Sequence, residues 1–236
     1  MAKRYWYVIL TYIIMQFSGL LFVPLLWVLT PLSRYDATIY WSVISFLIGL
    51  VVVLWLLRPD MKQNNSSQAA GVGRIILWSA AGLVMAYISN SMASSIERVL
   101  FGVDPTSQNT EMIMDITRSV PVFAAITTII APILEEIVFR KIIFGELYKR
   151  MNFFIAAVLS ALIFSVIHME LAHTLVYASM GFVFAFVYVK TKRIIVPIIV
   201  HMAMNSISVL VLTFGADYIE NKLKQLEDMQ TILFPF

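Results

Sequence analysis

The chain has 236 residues, of which 60% are hydrophobic and only 13% are charged, and its mean hydropathy is +0.85. A soluble domain of this length is usually about 45–50% apolar and about 25% charged, so the composition is that of an integral membrane protein. It excludes a cytosolic enzyme, a disordered protein and a nucleic-acid-binding protein, and loops on the cytoplasmic side account for the net charge of +3. The chain contains no cysteine, which excludes disulfides, thiolate catalysis and cysteine-ligated metals.

Seven long apolar runs follow one another along the chain. A helix needs roughly 20 apolar residues to cross the hydrocarbon core, where it satisfies its own backbone hydrogen bonds. The runs predict membrane helices at about 5–30, 38–57, 75–96, 119–148, 152–169, 171–190 and 194–214. The predicted fold class is therefore all-α, a polytopic transmembrane helix bundle with seven to eight membrane helices.

Lysine and arginine are distributed unequally over the loops between these runs, and retained positive charge marks the cytoplasmic side of a membrane protein. With the N-terminus inside, the cytoplasmic set is Lys3, Arg4, Arg58, Lys62, Arg74, Lys149, Arg150, Lys190, Lys192 and Arg193. The external set is Arg34, Arg98, Arg118, Lys222 and Lys224. The bias predicts a cytoplasmic N-terminus and an external C-terminus. An eighth membrane element in segment 97–118 or in the tail 218–236 would move the C-terminus to the other side.

The polar stretch RPDMKQNNSSQAAGVGR at 58–74 is the only obvious boundary between segments of the chain. Its Gly, Ser and Asn content is typical of a linker. The predicted organisation is a set of N-terminal membrane helices over 1–118 with a cytoplasmic linker at 58–74, a core over 119–214 and an amphipathic tail over 215–236. All three parts belong to one membrane domain.

Glu135, Glu136 and Arg140 lie inside the fourth apolar run. Each ionised side chain at the bilayer centre costs about 2.5 kcal/mol or more, so three together need a compensating arrangement. Glu136 and Arg140 are four residues apart and can form an ion pair, whereas Glu135 points about 100° away and is left free. Pro132 lacks a backbone donor and is expected to break or kink the run. The alternative interpretation is that the cluster marks the cytoplasmic end of the helix.

The three histidines of the chain all lie in or beside the last three apolar runs. His168 closes the fifth run, and His201 precedes Asn205 by one turn, which puts His201 and Asn205 on one helix face. Ionisable residues at membrane depth usually face the bundle interior or a wet cavity and carry function. The alternative for each histidine is an interhelical hydrogen bond without chemistry. His173 lies with Glu170 in a short turn, where an interfacial pair of the two is the simpler interpretation.

Together these side chains supply the parts of a hydrolytic site. A carboxylate and an imidazole that share a buried water can act as a general base. A second imidazole and a carboxamide on one helix face can donate hydrogen bonds to a developing oxyanion. The set predicts hydrolysis of an amide bond inside the membrane by activated water, with no protein nucleophile.

Three motifs follow in order on successive predicted membrane helices: E-E-x-x-x-R at Glu135–Arg140, F-x-x-x-H at Phe164–His168 and H-x-x-x-N at His201–Asn205. In this combination the chain resembles the CPBP family of intramembrane proteases, which contains the CAAX prenyl endopeptidases of type 2 and the bacteriocin-processing or immunity proteases of the Abi group. The resemblance covers about 119–214, which it identifies as a catalytic core. It implies an endopeptidase in the plasma membrane of a bacterium that cleaves a membrane-associated protein or peptide near the cytoplasmic leaflet.

The resemblance also implies a role for each motif residue. The residues that activate the attacking water are Glu135 and His168. The residues that stabilise the oxyanion are His201 and Asn205. The residues that organise or line the site are Glu136, Arg140 and Phe164. The family fold usually has eight membrane helices, against the seven apolar runs of this chain.

The resemblance leaves two mechanisms open, one that uses a bound metal ion and one that does not. The family is commonly described as metalloproteases, and Glu135, His168 and His201 are also a recognisable zinc ligand set. The chain lacks H-E-x-x-H, the motif whose spacing puts two ligands on one helix. The case for a metal therefore rests on ligand type alone. The resemblance to the family favours a metal-free glutamate mechanism, with zinc held by these three residues as the alternative.

Two other functions fit the same residues. A non-catalytic membrane scaffold or immunity protein could keep the motifs for packing and bind a partner. A proton-coupled transporter could use the buried glutamate and histidine as a relay, although the chain has no evident pair of discontinuous helices in corresponding halves. The expected partners are membrane lipids and a peptide or membrane-protein substrate, and no nucleic acid.

Overall fold

The computed structural model describes residues 1–63, 69–104, 107–211 and 215. Within these ranges the chain forms helices and no strands, which confirms the all-α fold class. In chain order the helices are α1 (Lys3–Phe17), α2 (Gly19–Leu29), α3 (Arg34–Leu56), α4 (Arg58–Gln63), α5 (Val72–Phe101), α6 (Gln108–Ser119), α7 (123–148), α8 (Phe153–Ile167), α9 (Leu171–Thr191) and α10 (Ile195–Leu210).

The apolar helices coincide with the seven predicted runs. Helices α3, α5 and α9 are each long and apolar enough to cross a membrane, and α1 with α2 forms a fourth candidate span that is bent by 42°. Helices α8 and α10 are apolar but shorter. Large apolar side chains such as Leu20 and Val28 are exposed on the outer surface of the bundle. Such a surface is stable against lipid and not against water.

Segment 97–118, one of two regions considered for an eighth membrane element, contains the end of α5 and most of α6. Ser107 is the N-cap residue of α6, and its hydroxyl accepts a hydrogen bond from the backbone N–H of Thr110 at 3.1 Å. Helix α6 has 12 residues with charged side chains on one face, which is too short and too polar to cross a bilayer. The other region, the tail at 218–236, lies outside the described residues.

Helix α7 carries the E-E-x-x-x-R motif and is not a regular α-helix. Its consecutive segments are Phe123–Ala125 (α), Ile126–Ile130 (π), Ala131–Glu135 (α), Glu136–Phe144 (π) and Gly145–Tyr148 (α). In a π-helix each N–H bonds to the carbonyl five residues earlier, and such segments often mark functional sites. Pro132, which was expected to break or kink the run, lies in the short α-helical segment between the two π segments.

Helices α7, α8 and α9 pack closely enough to bury the motif residues. A Cβ atom on Gly181 in α9 would lie 2.9 Å from the Cβ atom of Ala161 in α8, so only glycine allows this approach. The Ser160 hydroxyl in α8 donates to the Phe139 carbonyl of α7 at 2.9 Å. This bond satisfies a backbone group that is buried between the two helices.

A cluster around Asp60 joins the ends of three helices. The Tyr5 hydroxyl of α1 donates to the Asp60 carboxylate at 2.7 Å, and Arg4 and Lys141 form ion pairs with it. Burial alone would raise the pKa of Asp60, but the Tyr5 hydrogen bond, Lys141 and Arg4 together hold this pKa below its ordinary value. The linker helix α4 is thereby attached to α1 and to the end of α7.

Replacing Asp60 with asparagine is expected to lower the free energy of unfolding by about 2 kcal/mol at neutral pH, because charge-assisted hydrogen bonds are lost. The pKa of Asp60 is lower in the folded protein, so its contribution is complete above the ordinary value of 3.8 and is lost as the pH falls through the folded value. Thermal unfolding of the detergent-solubilised protein from neutral pH downward measures both effects. The exposed Asp115 is the control: Asp115→Asn should unfold like the parent at every pH.

Candidate active site

Arg140 and Glu136 form the buried ion pair that their spacing on α7 predicts. The Arg140 Nε atom lies 3.1 Å from Glu136 Oε2, and both side chains are at most 1% exposed. The guanidinium carbon lies 4.4 Å from the ring centre of Phe164 and 5.1 Å from that of Phe184. Within the described residues its nitrogens make no hydrogen bond of good geometry. Charge pairing and aromatic faces therefore compensate this cation.

His201 lies between the two glutamates of the motif. Its Nδ1 atom is 2.9 Å from Glu136 Oε1, and its Nε2 atom is 3.7 Å from Glu135 Oε2. The ring stacks on Phe184 at a centroid distance of 5.0 Å. A carboxylate only accepts hydrogen bonds, so Nδ1 carries a hydrogen and donates it to Glu136. The Nε2 atom therefore points to Glu135.

His168 has a different partner, and this distinguishes the two histidines chemically. Its Nδ1 atom lies 2.8 Å from the Phe164 carbonyl oxygen, to which it donates. The ring lies against Tyr177 at 4.3 Å and against Phe164 at 4.4 Å. With Nδ1 protonated, the neutral ring keeps a lone pair on Nε2. His168 therefore has the form required of a proton acceptor.

His168 is held at the end of its helix by an unusual backbone conformation. Met169 follows it with a φ of 56°, in the left-handed region that only glycine enters without cost. The backbone N–H of Met169 still donates to the Val166 carbonyl. The chain thus turns out of α8 directly after the histidine, and the imidazole stands at the wall of a cavity instead of inside the helix.

Asn205 completes the hydrogen bonding of the π-helical part of α7. Its Nδ2 atom donates to the Thr127 carbonyl at 3.0 Å. In a π-helix that carbonyl would accept from the residue five positions later, which is Pro132 and has no N–H. Asn205 supplies the missing donor from α10. One hydrogen of its amide is used in this way, and the second remains for another acceptor.

These motif residues line one cavity of about 730 Å³, a size within the range of ligand sites. The motif residues in its wall are Glu135, Phe164, His168, His201 and Asn205. Glu136 and Arg140 lie behind this wall, fully buried. The structure thus brings together the motif residues that the sequence singled out, from the three helices α7, α8 and α10.

His173 also lines the cavity, but its partner is not the one expected from the sequence. Its Nδ1 atom lies 3.2 Å from Glu97 in α5, so the interpretation of a pair with Glu170 is wrong. Glu97 is buried and also accepts from the backbone N–H groups of Leu175 and Val176 at 2.7 and 3.1 Å. Free N–H groups at the start of a helix attract a carboxylate in this way.

Other side chains around the site belong to none of the three motifs. Tyr177 stacks on His168, and its hydroxyl donates to Glu170 at 2.7 Å. The Ser107 hydroxyl donates to the same carboxylate. Glu97 and Tyr177 were not singled out from the sequence, and Glu170 was considered only as a partner of His173. A tyrosine at helical spacing looks like ordinary core, and Glu97 lies 76 residues from its histidine partner.

The side chains of the three candidate zinc ligands do not converge on one position. In residues 1–63, 69–104, 107–211 and 215, no three His, Asp or Glu side chains lie close enough together to hold one metal ion. Glu135 and His201 are neighbours, but Glu135, His168 and His201 do not form a ligand set. The side chains of this structure therefore do not fit a zinc site, and no chemical step is derived through one.

Comparisons with known proteins agree with the motifs. The family model for type II CAAX prenyl endopeptidases, Rce1-like, matches residues 117–207. The "Putative membrane peptidase YdiL" of Bacillus subtilis (strain 168) is 45% identical to the chain, over 96% of the chain and 97% of that protein. The "Membrane-embedded CAAX protease MroQ" of Staphylococcus aureus (strain USA300) is 32% identical, over 98% of the chain and 99% of that protein. No solved structure matches the chain significantly.

Proposed function

The chain belongs to the Rce1-like family of CAAX prenyl endopeptidases and is a membrane peptidase, and from this premise we propose that it cleaves a membrane-associated protein or peptide within the bilayer. The attacking group is a water activated by Glu135 and His168. The observation that carries this proposal is the different partner of each histidine: His168 donates to a carbonyl, and His201 donates to a carboxylate.

Water activation follows from the state of His168. Its Nδ1–H is bound to the Phe164 carbonyl, so Nε2 is free to accept a proton. Glu135 lies in the same cavity wall, and its carboxylate can accept from the same water. One O–H bond of water breaks as its oxygen bonds to the scissile carbonyl carbon, and the proton passes to the general base that Glu135 and His168 form together. The proton then passes to the leaving amine when the C–N bond breaks.

Oxyanion stabilisation falls to His201 and Asn205. The tetrahedral intermediate carries a negative oxygen, which preorganised donors stabilise. Asn205 has one amide hydrogen left after its bond to Thr127. His201 must carry hydrogens on both nitrogens to donate from Nε2, because Nδ1 already donates to Glu136. In that state the charges of His201, Arg140 and the two glutamates cancel.

Glu136 and Arg140 act as positioning residues in this proposal, and Phe164 lines the site. Glu136 receives the His201 hydrogen bond and the Arg140 charge at the same time. Phe164 contacts the Arg140 guanidinium with its ring, lies against the His168 ring and binds His168 through its carbonyl. Each of the three therefore acts through a neighbouring side chain.

The proposal includes a cytoplasmic N-terminus in the plasma membrane of a bacterium. Its support is the excess of lysine and arginine at one end of the bundle, where α1 begins and α7 and α9 end. Such an excess is the usual mark of the cytoplasmic side.

Comparison of membranes from cells with the parent protein and with Glu135→Ala tests the function. Terminal peptides that the parent removes should accumulate uncleaved in the Glu135→Ala strain, and Asn205→Ala should give the same set. A strain with Glu111→Ala, a carboxylate in the same cavity wall, is the control and should match the parent. Identical peptide sets in all four strains would reject the proposed protease function.

Removal of metal is expected to leave proteolysis unchanged, because the described His and acidic side chains do not form a ligand set. The measurement is cleavage by purified protein that elemental analysis has shown to be metal-free, compared with the same sample after addition of zinc. Loss of activity on chelation that only zinc restores would reject the metal-free mechanism and support the zinc alternative.

A further inference from the structure

The two ends of the helix bundle can be told apart by contacts between elements. At one end the N-terminal amine pairs with Glu146 of α7, and Asp60 joins α1, α4 and α7. The Arg193 side chain donates to the Ala70 carbonyl there. The described basic side chains of this end are Lys3, Arg4, Arg58, Arg74, Lys141, Lys149, Arg150, Lys190, Lys192 and Arg193. We name it the basic end.

The other end of the bundle has more acidic than basic groups among the residues that the structure describes. It contains the end of α5, the helix α6 and the turn before α9, which are joined by the pairs of Glu97 with His173 and of Ser107 with Glu170. Its acidic side chains are Asp36, Glu97, Asp104, Glu111, Asp115 and Glu170. Its basic side chains are Arg34, Arg98 and Arg118. We name it the acidic end.

Between Glu135 and the basic end the bundle is closed. Side chains of α7 that follow Glu135 fill this half of the protein, and Val138, Phe139, Ile142 and Phe144 are each at most 1% exposed. The Phe139 ring packs edge-on against Tyr12 of α1 and against Phe164 of α8. Well-packed apolar layers of this kind leave no path for water or for a peptide.

From Glu135 toward the acidic end the cavity is continuous. Its wall there contains Asn90 and Ser94 from the last turns of α5, and Ser208 from the end of α10. Ser107, Thr110 and Glu111 at the start of α6 border it as well. The amphipathic helix α6 thus lies along the mouth of the cavity, at the acidic end of the bundle.

We propose that the active site opens to the extracytoplasmic side and that its substrate is a peptide segment presented at the outer face of the membrane, either exported or anchored with its scissile bond there. This rests on the proposed function and on its cytoplasmic N-terminus. It reverses the expectation, implied by the family resemblance, of cleavage near the cytoplasmic leaflet. The reason is the packing around Phe139, which separates the motif residues from the basic end.

Single cysteines test the side of entry, since the chain has none of its own. Ser94→Cys reports on the cavity, Thr110→Cys on its mouth and Arg150→Cys on the basic end. The probe is a membrane-impermeant maleimide, which reacts with a hydrated thiolate. It is added to right-side-out protoplasts and to inverted vesicles. Ser91→Cys, which is exposed on the same helix but outside the cavity, is the lipid-facing control.

The expected result is labelling of Ser94→Cys and Thr110→Cys in protoplasts, of Arg150→Cys only in inverted vesicles, and of Ser91→Cys in neither. Labelling of Ser94→Cys only in inverted vesicles, or in neither preparation, would overturn the proposal. Labelling of Arg150→Cys in protoplasts would overturn it too, because the whole orientation would be reversed. Failure of the proposed function would leave these labelling patterns unchanged, whereas an inward-facing site would leave cleavage by the solubilised enzyme unchanged.

Discussion

Replacing Glu135 with glutamine is expected to lower kcat by about 10³-fold, within the range found for loss of a general base. Glutamine keeps the shape of the side chain but cannot take a proton from water. The KM should change little, because Glu135 is only one of the many residues that line the cavity in which the substrate binds. Cleavage of a peptide identified in the Glu135→Ala strain, measured with purified enzyme in detergent, gives both constants.

Glu111→Gln is the matched control for this experiment. Glu111 lies in the same cavity wall, on α6, whereas the hydrogen bonds of His168 and His201 within the described residues go to Phe164 and Glu136. Its kcat should equal that of the parent, and both variants should unfold at the parent temperature. A Glu135→Gln enzyme that turns over as fast as the parent would remove Glu135 from the mechanism.

The sequence predicted the site residues better than their contacts. The free-energy cost of placing charged side chains inside the membrane singled out Glu135, Glu136 and Arg140. Helical spacing predicted the ion pair of Glu136 with Arg140 that the structure contains. The contact of His201 with both glutamates was not predicted. It spans 65 residues and lies where α7 changes from the α-helical segment Ala131–Glu135 to the π-helical segment Glu136–Phe144. No periodicity in the sequence indicates a π segment.

Hydrogen-bond partners explain the other differences between prediction and structure. The sequence assigned Asn205 to an oxyanion site, and the structure adds a bond to a carbonyl that Pro132 leaves without its partner. It paired His173 with Glu170 because they are close in the chain, whereas Glu97 is the partner that packing provides. Nearness along the sequence is a poor guide where helices pack side by side, because the partner of a buried side chain can come from another helix.

Replacing Arg140 with methionine is expected to lower the free energy of unfolding by about 3–5 kcal/mol, the usual cost of removing one partner of a buried ion pair. For a chain of this size that corresponds to a fall of about 10 °C in Tm. Glu136 would stay fully buried with only the His201 hydrogen bond to compensate its charge. Thermal unfolding in detergent measures the loss, and Lys149→Met, which removes an exposed cation from the end of the same helix, is the control.

The double variant Glu136→Gln with Arg140→Met separates the charge effect from packing. Glutamine still accepts from His201 Nδ1 and leaves no buried anion, and methionine fills much of the space between Phe164 and Phe184. It should therefore be more stable than Arg140→Met alone, and measurement of the Glu136→Gln single variant as well completes the cycle that gives the coupling energy of the pair. Equal stability of the single and double variants would mean that Arg140 contributes through its aromatic contacts and not through its charge. Because His201 loses its carboxylate partner in the double variant, recovered stability without recovered cleavage is the outcome expected of a positioning pair.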